Sequence, residues 1–207
     1  MSEAMPAGRL GIFGGTFDPI HYGHLILATE VRHALALDRV LFLPAGQPPH
    51  KQGWTVSPAV HRVAMTRLAI ADDPAFELCL YDVERGGLSY TADTLEALAG
   101  RHPGAALYFL MGEDSLRDLP TWHAPERILR AARLAVAGRP GVDTDLADLE
   151  RLLPGIGGRV AFVPTPEIGI AARDLRARVA AGRPIRYQVP PAVAAYIDAH
   201  GLYVGGQ

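Results

Sequence analysis

Short apolar runs alternate with longer stretches of helical periodicity along almost the whole chain. The runs predict β-strands at residues 9–13, 39–43, 76–80, 106–111, 134–137 and 159–163. The stretches between and after them predict helices at about 23–37, 57–71, 91–99, 125–132, 143–153, 172–181 and 191–200. The second of these helices has a clear start, with Ser57 as its cap and Pro58 at its first helical position.

This alternation of strand and helix predicts an α/β fold. Successive βαβ units build a doubly wound, mainly parallel sheet that helices cover on both faces, and the last two helices form a small helical C-terminal appendage. We expect a single domain over residues 1–207, with a core at about 9–165 and the helical C-terminal part at about 166–203. Such sheets bind ligands beyond the carboxyl ends of their strands, so functional residues are expected just after the strands.

Composition narrows the class of protein without pointing to an activity. Hydrophobic residues make up 49% of the chain and charged residues 20%, which are values of a globular protein. The net charge of −2 argues against a nucleic-acid partner. No apolar run reaches the roughly 18 residues of a membrane span, and no signal peptide is evident, so we expect no membrane partner and a cytoplasmic location. A single cysteine, Cys79, excludes an intrachain disulfide and a cysteine zinc site.

The loop after the first strand carries the most informative residues. Residues 14–24 read GGTFDPIHYGH and lead into the first helix. Gly14 and Gly15 allow a ligand to approach the backbone closely, and the loop amides together with the helix N-terminus favour an anion such as phosphate. His21 and His24 are three residues apart and share one helix face. Imidazoles in this position, protonated or hydrogen-bonding, are suited to stabilising charge on phosphate oxygens.

Other interpretations of the same loop are weaker. The glycine spacing is not that of a dinucleotide-binding loop, and a P-loop needs a lysine that this loop lacks. Two histidines at this spacing could ligate zinc, but no third ligand follows in a convincing pattern. The residues therefore favour phosphate chemistry.

Later loops add polar residues at the same edge of the predicted sheet. Lys51 is the one lysine beside 19 arginines, and it follows His50 in the loop after the second strand. Its ammonium could reach a phosphate as a point charge. After the fourth strand come Gly112 and Asp114, a glycine and a carboxylate suited to ribose hydroxyls. Trp122 follows them and is suited equally to stacking on a heteroaromatic ring and to packing in the core.

The run at 14–24 resembles the signature of the nucleotidylyltransferase superfamily, whose members carry (His/Thr)-x-Gly-His at the start of the first helix. A histidine at the first of these positions, preceded by Thr-Phe-Asp-Pro, is similar to bacterial nicotinate mononucleotide adenylyltransferases. The sequences PPHK at 48–51, SYTADTL at 89–95 and GEDSL at 112–116, the last followed by a tryptophan, also resemble that family. The resemblance covers nearly all of residues 9–203.

This resemblance implies a Rossmann-like nucleotidylyltransferase fold and an enzyme of NAD biosynthesis. Such an enzyme transfers AMP from ATP to nicotinate mononucleotide, giving nicotinate adenine dinucleotide and pyrophosphate. ATP and nicotinate mononucleotide would be the partners of a monomer or homo-oligomer, with Mg²⁺ held by phosphates and water and no protein metal ligands. The residues implied for catalysis are His21, His24, Lys51 and Arg176; for ATP and its phosphates Gly14, Gly15, Thr16, Phe17, Gly112, Asp114, Arg139 and Arg173; and for nicotinate mononucleotide Tyr90, Thr91, Trp122 and His50.

One segment departs from the family pattern. The family carries Ile-Ser-Ser-Thr-x-x-Arg late in the chain, whereas residues 170–176 read IAARDLR, which loses all three hydroxyls and keeps Arg176. Arg173 would supply compensating charge beside the amides of the helix start. Two alternatives stay open: an enzyme with another acceptor, nicotinamide mononucleotide or phosphopantetheine, and a weakly catalytic nucleotide-binding paralogue. The glycine spacing disfavours a nicotinamide-dependent dehydrogenase.

Overall fold

A parallel sheet is the middle layer of the protein in a computed structural model that describes residues 8–47, 56–138 and 146–205. Within these residues its strands are β1 (Arg9–Gly15), β2 (Arg39–Pro44), β3 (Phe76–Leu78), β4 (Ala106–Gly112), β5 (Arg133–Gly138) and β6 (Val160–Pro164). Every neighbouring pair is parallel, in the order β3-β2-β1-β4-β5-β6. The order runs outwards in one direction from β1 and in the other from β4, so the predicted doubly wound sheet is confirmed.

Helices cover both faces of this sheet. They are α1 (Tyr22–Ala34), α2 (Ala59–Ile70), α3 (Tyr81–Arg85), α4 (Thr91–Arg101), α5 (Glu113–Asp118), α6 (Pro125–Ala131), α7 (Leu146–Leu152), α8 (Ala172–Ala180) and α9 (Pro191–Ala199). Among the described residues, every helix is too short or too polar to cross a lipid bilayer.

Two of these helices, α3 and α5, are absent from the sequence prediction. They are 5 and 6 residues long, too short to show a periodic pattern, and helices of this length depend on tertiary packing. In α5 that packing is supplied by Leu116, whose side chain is fully buried. The strand prediction at 76–80 is also too long, because β3 ends at Leu78 and the chain turns into α3.

The predicted role of Ser57 as the cap of α2 is wrong. The helix starts at Ala59, its N-cap is Pro58, and no side chain caps it. The amide of Ser57 instead donates to the Asp18 carboxylate over 3.1 Å, and its carbonyl accepts a hydrogen bond from Arg62. A tertiary contact with the loop after β1 therefore takes the place of a local cap.

Buried side chains alternate between the two faces of the sheet, as the two-residue period of a strand requires. The α4-side core joins Ile12, Leu41, Phe109 and Leu134 of the strands to Leu95, Leu116 and Ile128 of the helices. The α1-side core joins Phe13, Phe42 and Leu110 to Ala28, Met65, Leu175, Val193 and Ile197. The C-terminal helices α8 and α9 thus pack into the same core as α1 and α2.

The carboxyl ends of β1 and β4 lie side by side near the middle of the sheet, and the chain leaves them towards opposite faces. After β1 it continues into α1 in the α1-side core, and after β4 into α5 in the α4-side core. A crevice opens where two neighbouring connections diverge in this way. The topology therefore places a ligand site next to the ends of β1 and β4.

Candidate functional site

A cleft of about 780 Å³ opens at the carboxyl edge of the sheet. Its walls are formed by the first turns of α1, the ends of β4 and β5, part of α7 and the segment between β6 and α8. Of the residues that the sequence predicts for the site, His21, His24, Gly112 and Asp114 line it. The loops after β1 and β4 thus contribute to one cleft, at the edge where the sequence predicts ligand binding.

The two histidines lie at the first turn of α1 with their rings stacked. The ring centroids are 3.7 Å apart and the planes are inclined by 29°, so the predicted sharing of one helix face is confirmed. His21 is the N-cap of the helix, and its backbone N–H donates to Nδ1 of His24 over 3.2 Å. Because that Nδ1 accepts a hydrogen bond, the neutral ring of His24 carries its proton on Nε2 and presents a donor there. The pair stands at the positive end of the helix, where an anion is favoured.

His21 is the more enclosed of the two, with only 6% of its surface exposed. Burial lowers the pKa of His21 from 6.5 to about 4, so its imidazole is neutral at pH 7. Its Nδ1 is buried and has no hydrogen-bond partner among the described residues. A methyl group on Gly23 would lie 3.0 Å from the same Nδ1, so this glycine leaves room for the ring. The sequence leaves open whether the His21 imidazole is protonated or neutral, and the structure favours the neutral form.

The glycine-rich loop keeps its backbone partly exposed at the edge of the sheet. Gly14 and Gly15 end β1 and Thr16 follows, and all three residues are half-buried. A methyl group on Gly15 would come within 2.7 Å of the ring of Phe17, so a side chain is excluded there. The chain can therefore pass this close to the Phe17 ring only because residue 15 is glycine.

Phe17, which the resemblance assigns to ATP binding, is almost completely buried. Its ring packs against Phe13 and Phe42 and stands edge-on to the ring of His24, with the centroids 5.1 Å apart. The residue has a φ of 50°, in the left-handed region that non-glycine residues rarely adopt, and the packed ring holds it there. The buried side chain of Phe17 thus supports the ring of His24.

Gly112 and Asp114 lie at the junction of β4 and α5. Gly112 is the N-cap of α5, and a methyl group there would meet no atom of the described residues within 4 Å. The space beside it is therefore open to the cleft, as expected of a glycine that a ligand approaches. The carboxylate of Asp114 is exposed and forms an ion pair with Arg117 one helical turn later.

Charge is distributed unevenly along the cleft. Glu113, Asp114, Asp148 and Glu167 line the part formed by α5, α7 and the segment after β6, together with Arg117, which pairs with Asp114. The histidines and the N-terminus of α1 form the part that favours anions. A ligand with one anionic end and one uncharged, hydroxyl-bearing end fits this division.

The two late arginines have different surroundings. Arg176 in α8 is half-buried, and its Nη1 donates to the carbonyl of Asp18 over 2.7 Å. Arg173 is exposed and pairs with its neighbour Asp174 at 3.2 Å. The helix begins at Ala172 with Ala171 as N-cap, and no side chain caps it. The cap hydroxyl that the sequence lacks is therefore not replaced by another side chain.

Three of the residues assigned to nicotinate mononucleotide, Tyr90, Thr91 and Trp122, lie outside the lining of this cleft, on the α4 side of the sheet. Tyr90 is the N-cap of α4, and its ring lies 4.4 Å from that of His123 between centroids. Thr91 is the first helical residue. Trp122 is half-buried against the α4-side core, with its ring 6.1 Å from that of Phe109 between centroids.

Three further residues of the predicted site, His50, Lys51 and Arg139, lie outside the residues that the structure describes. Their assignments stay predictions. Gly138, the residue before Arg139, lines the cleft.

Sequence reasoning missed a buried polar network behind the histidines. Asp18 is 2% exposed; its Oδ1 accepts a hydrogen bond from the hydroxyl of Tyr203 over 2.7 Å, and its Oδ2 accepts one from the amide of Ser57. Burial raises the pKa of Tyr203 above its ordinary value and the Asp18 carboxylate acts in the same direction, so the hydroxyl remains a donor. The network fixes the loop that leads from β1 to His21.

Arg62 in α2 is the second missed residue, and it is 1% exposed. The helical period offered a signal for it, because α2 buries Met65, Thr66 and Ile70, three, four and eight residues further on. An arginine on the buried side of an amphipathic helix indicates a set of acceptors inside the protein.

A family model and two similar proteins of known sequence all point to nucleotide-transferring enzymes. The model of the cytidylyltransferase-like family matches residues 12–178. A protein of Thermomicrobium roseum, named "Probable nicotinate-nucleotide adenylyltransferase", is 56% identical over 195 residues, which cover 94% of this chain and 91% of that protein. A protein of the same name from Roseiflexus sp. is 51% identical over 199 residues, which cover 96% of this chain and 100% of that protein.

Solved structures show the same fold. The nicotinic acid mononucleotide adenylyltransferase of Plasmodium falciparum complexed with NaAD matches with a TM-score of 0.76 and 20% identity, over 95% of this chain and 97% of that chain. The same enzyme complexed with APC matches with a TM-score of 0.75 and 19% identity, with the same coverage.

Proposed function

The chain belongs to the cytidylyltransferase-like family and, within it, to the nicotinate-nucleotide adenylyltransferases, and from this premise we propose that it transfers the adenylyl group of ATP to nicotinate mononucleotide. The products are nicotinate adenine dinucleotide and pyrophosphate, in a step of NAD biosynthesis. The observation that carries the proposal is the stacked pair His21 and His24 at the N-terminus of α1, on the wall of the cleft.

The reaction forms one phosphorus–oxygen bond and breaks another. A phosphate oxygen of the mononucleotide attacks the α-phosphorus of ATP, and the bond from that phosphorus to the bridging oxygen of the β-phosphate breaks to release pyrophosphate. The attacking oxygen is already anionic, so no general base is needed and catalysis consists of positioning and charge stabilisation. His24 donates from Nε2 to phosphate oxygens beside the amides of the helix start, and neutral His21, whose Nδ1 is buried, can donate to them only from its Nε2.

The uneven charge of the cleft supports one orientation of ATP. The lining that contains Glu113, Asp114, Asp148 and Glu167 offers carboxylates to which ribose hydroxyls can donate, with Asp114 paired to Arg117 and Asp148 to Arg151. The nucleoside therefore lies at the acidic part, beside Gly112, and the phosphates lie at the histidines. We assign Gly14, Gly15, Thr16 and Phe17 to the phosphate side, and Arg176, Arg173, Arg139 and Lys51 as its sources of positive charge.

The acceptor approaches from the α4 side of the sheet, where Tyr90, Thr91 and Trp122 lie. We also assign His50 to acceptor binding. The amides at the start of α4 attract the carboxylate of nicotinate and offer a carboxamide no such gain. Asp93 in the first turn of α4 opposes this attraction in part, because the guanidinium of Arg127 that pairs with it at 2.9 Å also pairs with Glu96 at 2.5 Å. The preference for nicotinate over nicotinamide therefore rests on the amides of the helix start.

Mg²⁺ enters this scheme as part of the ATP substrate. Among the residues described by the structure, no group of three or more His, Cys, Asp or Glu side chains is placed to hold a metal ion. We assign the ion to phosphates and water. We further propose that residues 1–207 act as one nucleotidylyltransferase domain and that the enzyme works in the cytoplasm.

The proposal is tested by pyrophosphate release from Mg·ATP with a panel of acceptors: nicotinate mononucleotide, nicotinamide mononucleotide and phosphopantetheine. We expect the highest kcat/KM with nicotinate mononucleotide. His24→Ala should lower kcat by about 10²–10³-fold, the usual cost of removing a donor to developing charge. His33→Ala, an exposed histidine at the other end of α1, is the matched control and should leave kcat unchanged.

Three contrary results of this experiment would each contradict a different part of the proposal. Equal kcat/KM for the three acceptors would contradict nicotinate mononucleotide as the substrate. Binding of ATP without pyrophosphate release from any acceptor would indicate the nucleotide-binding paralogue. Full activity of His24→Ala would remove the histidine pair from the site.

A further inference from the structure

Arg62 places a buried positive charge directly behind the candidate site. All three nitrogens of its guanidinium donate to backbone carbonyls: Nη1 to Thr16 over 2.9 Å, Nη2 to Gly46 over 3.0 Å and Nε to Ser57 over 2.9 Å. Burial lowers the pKa of Arg62 below its ordinary value, and the Asp18 carboxylate opposes that shift. A charge this enclosed is costly unless its donors are satisfied, and here the acceptors come from three separate backbone segments.

The carbonyls of Thr16 and Gly46 lie just beyond the point where the hydrogen-bonded pairing of β1 and β2 ends. The last register pair of β1 and β2 is Gly15 with Pro44, followed by one hydrogen bond from the amide of Ala45 to the carbonyl of Gly15. Beyond this point the two segments separate. The carbonyls of Thr16 and Gly46 are both acceptors and cannot bond to each other, so a donor with several N–H groups is needed to join them. The planar fork of Arg62 supplies it.

Gly46 is held from its other side as well. Its amide donates to Oγ of Ser89 over 2.9 Å, and a methyl group on it would come within 2.5 Å of the carbonyl oxygen of Asp82. The third acceptor, Ser57, also bonds to Asp18 through its amide. Arg62 therefore joins the segment that follows β1, the segment that follows β2 and the segment that precedes α2.

A short path leads from Arg62 to the histidine pair. Thr16, whose carbonyl Arg62 holds, is followed by Phe17, and the ring of Phe17 stands edge-on to His24 at 5.1 Å between centroids. Asp18 comes next and is held by Tyr203, Ser57 and Arg176. A shift of the Thr16 carbonyl therefore moves the residue that supports the His24 ring.

We propose that Arg62 is a positioning residue of the adenylyl transfer, which holds the backbone at Thr16, Gly46 and Ser57 so that His24 meets the transferring phosphate. This inference rests on the proposed function, because its readout is turnover. Arg62 itself does not contact the substrate, since it is buried beneath the loops. Misplacement of a catalytic group by about 1 Å costs on the order of a hundredfold in rate, so the effect is expected in kcat.

The experiment compares Arg62→Met, Arg62→Lys and Ile70→Val with the unchanged full-length protein. Methionine fills much of the same space and removes every donor, and lysine keeps the charge but lacks the planar fork. Ile70→Val destabilises the buried face of the same helix without touching the loops, and serves as the matched control. Pyrophosphate release with nicotinate mononucleotide gives kcat and the KM for ATP, and near-ultraviolet circular dichroism gives the folded fraction.

We expect kcat per folded molecule to fall about ten- to a hundredfold in Arg62→Met, with KM for ATP within about threefold of its starting value. Arg62→Lys should recover part of this loss, and Ile70→Val should keep the full kcat. A kcat per folded molecule unchanged in Arg62→Met overturns the inference. If Arg62→Met does not fold, Arg62→Lys decides by the same criterion, and failure of both to fold assigns Arg62 to stability alone. An inactive unchanged protein would overturn the proposed function as well, so the two failures are distinguishable.

Discussion

Single residues of the candidate site take their chemistry from where the fold places them. His21 and His24 are the same residue type three positions apart, and both lie at the positive end of α1. His21 is buried with a pKa lowered to about 4, and His24 is oriented by the hydrogen bond that it accepts from the His21 amide. Two histidines that look equivalent in the sequence therefore have different roles: one is a neutral group within the wall, and the other presents a fixed donor.

The lowered pKa of His21 makes stability depend on pH. The folded pKa of about 4 lies below the ordinary 6.5, so the unfolded chain binds the proton more tightly. The contribution of His21 to stability is complete above pH 6.5 and is lost as the pH falls towards 4. Between pH 7.5 and pH 5 the loss is about 2 kcal/mol.

We therefore expect the free energy of unfolding of the unchanged protein to fall by about 2 kcal/mol more than that of His21→Gln over this interval. Urea denaturation at pH 7.5 and pH 5 measures both values. His33→Gln, at an exposed position of the same helix, is the control and should keep the full pH dependence. The same pH dependence in His21→Gln and in the unchanged protein would contradict the burial effect.

At the level of secondary-structure elements, the N-termini of three helices form or adjoin the candidate site. The start of α1 carries the histidines, the start of α4 lies at the predicted acceptor side, and α8 begins beside the cleft without any side-chain cap. Ala171 is the N-cap within the segment 170–176 that departs from the family pattern, and no side chain caps the helix there. Its backbone is extended, with φ −121° and ψ 136°, which is the conformation that an N-cap requires.

Ala171→Ser should therefore stabilise the protein by about 0.5–1 kcal/mol, because the serine hydroxyl can accept a hydrogen bond from an amide of the first turn. The same substitution at the exposed position Ala177, in the middle of α8, should destabilise it by about 0.5 kcal/mol through helix propensity. Urea denaturation of the two variants gives both signs. A loss of stability in Ala171→Ser would show that the hydroxyl finds no partner at this helix start.

The sequence pattern predicts the long strands and helices of the fold, but it does not predict the shortest helices. The apolar runs and helical periods that predict β1, β4, α1 and α9 are properties of neighbouring residues, so they can be read directly. Helices α3 and α5 have too few residues to show a period and are held by burial of side chains such as Leu116. Ser57 shows the opposite error, a local cap signal that a distant carboxylate overrides.

At the scale of the whole molecule, the C-terminal part is tied to the first loop. Tyr203 donates to Asp18 over 2.7 Å, although 185 positions separate them in the chain, and Arg176 donates to the carbonyl of the same residue. The final helices therefore complete the support of the loop that carries the histidine motif. Any event that releases the C-terminal segment will loosen that loop.

Tyr203→Phe should lower the free energy of unfolding by about 1.5–3 kcal/mol, because it leaves a buried carboxylate oxygen without its donor. Tyr196→Phe is the matched control: it removes another C-terminal hydroxyl, which contacts Nδ1 of the half-buried His61 at 3.0 Å. Tyr196→Phe should lower the free energy of unfolding by about 1 kcal/mol or less. Chemical denaturation of the two variants at pH 7.5 measures the difference, and equal losses would contradict a special role for the Asp18 contact.

The sequence by itself determined the α/β class, the carboxyl-edge location of the site, and the histidine motif with its phosphate chemistry. All of these follow from residues that are close in the chain, through strand and helix periods, glycine-rich turns and helix starts. Only the tertiary structure decided the strand order, the neutral state of His21 and the network of Asp18, Arg62 and Tyr203. Burial and hydrogen bonding between residues far apart in the chain set these features, and neither is written in a local pattern.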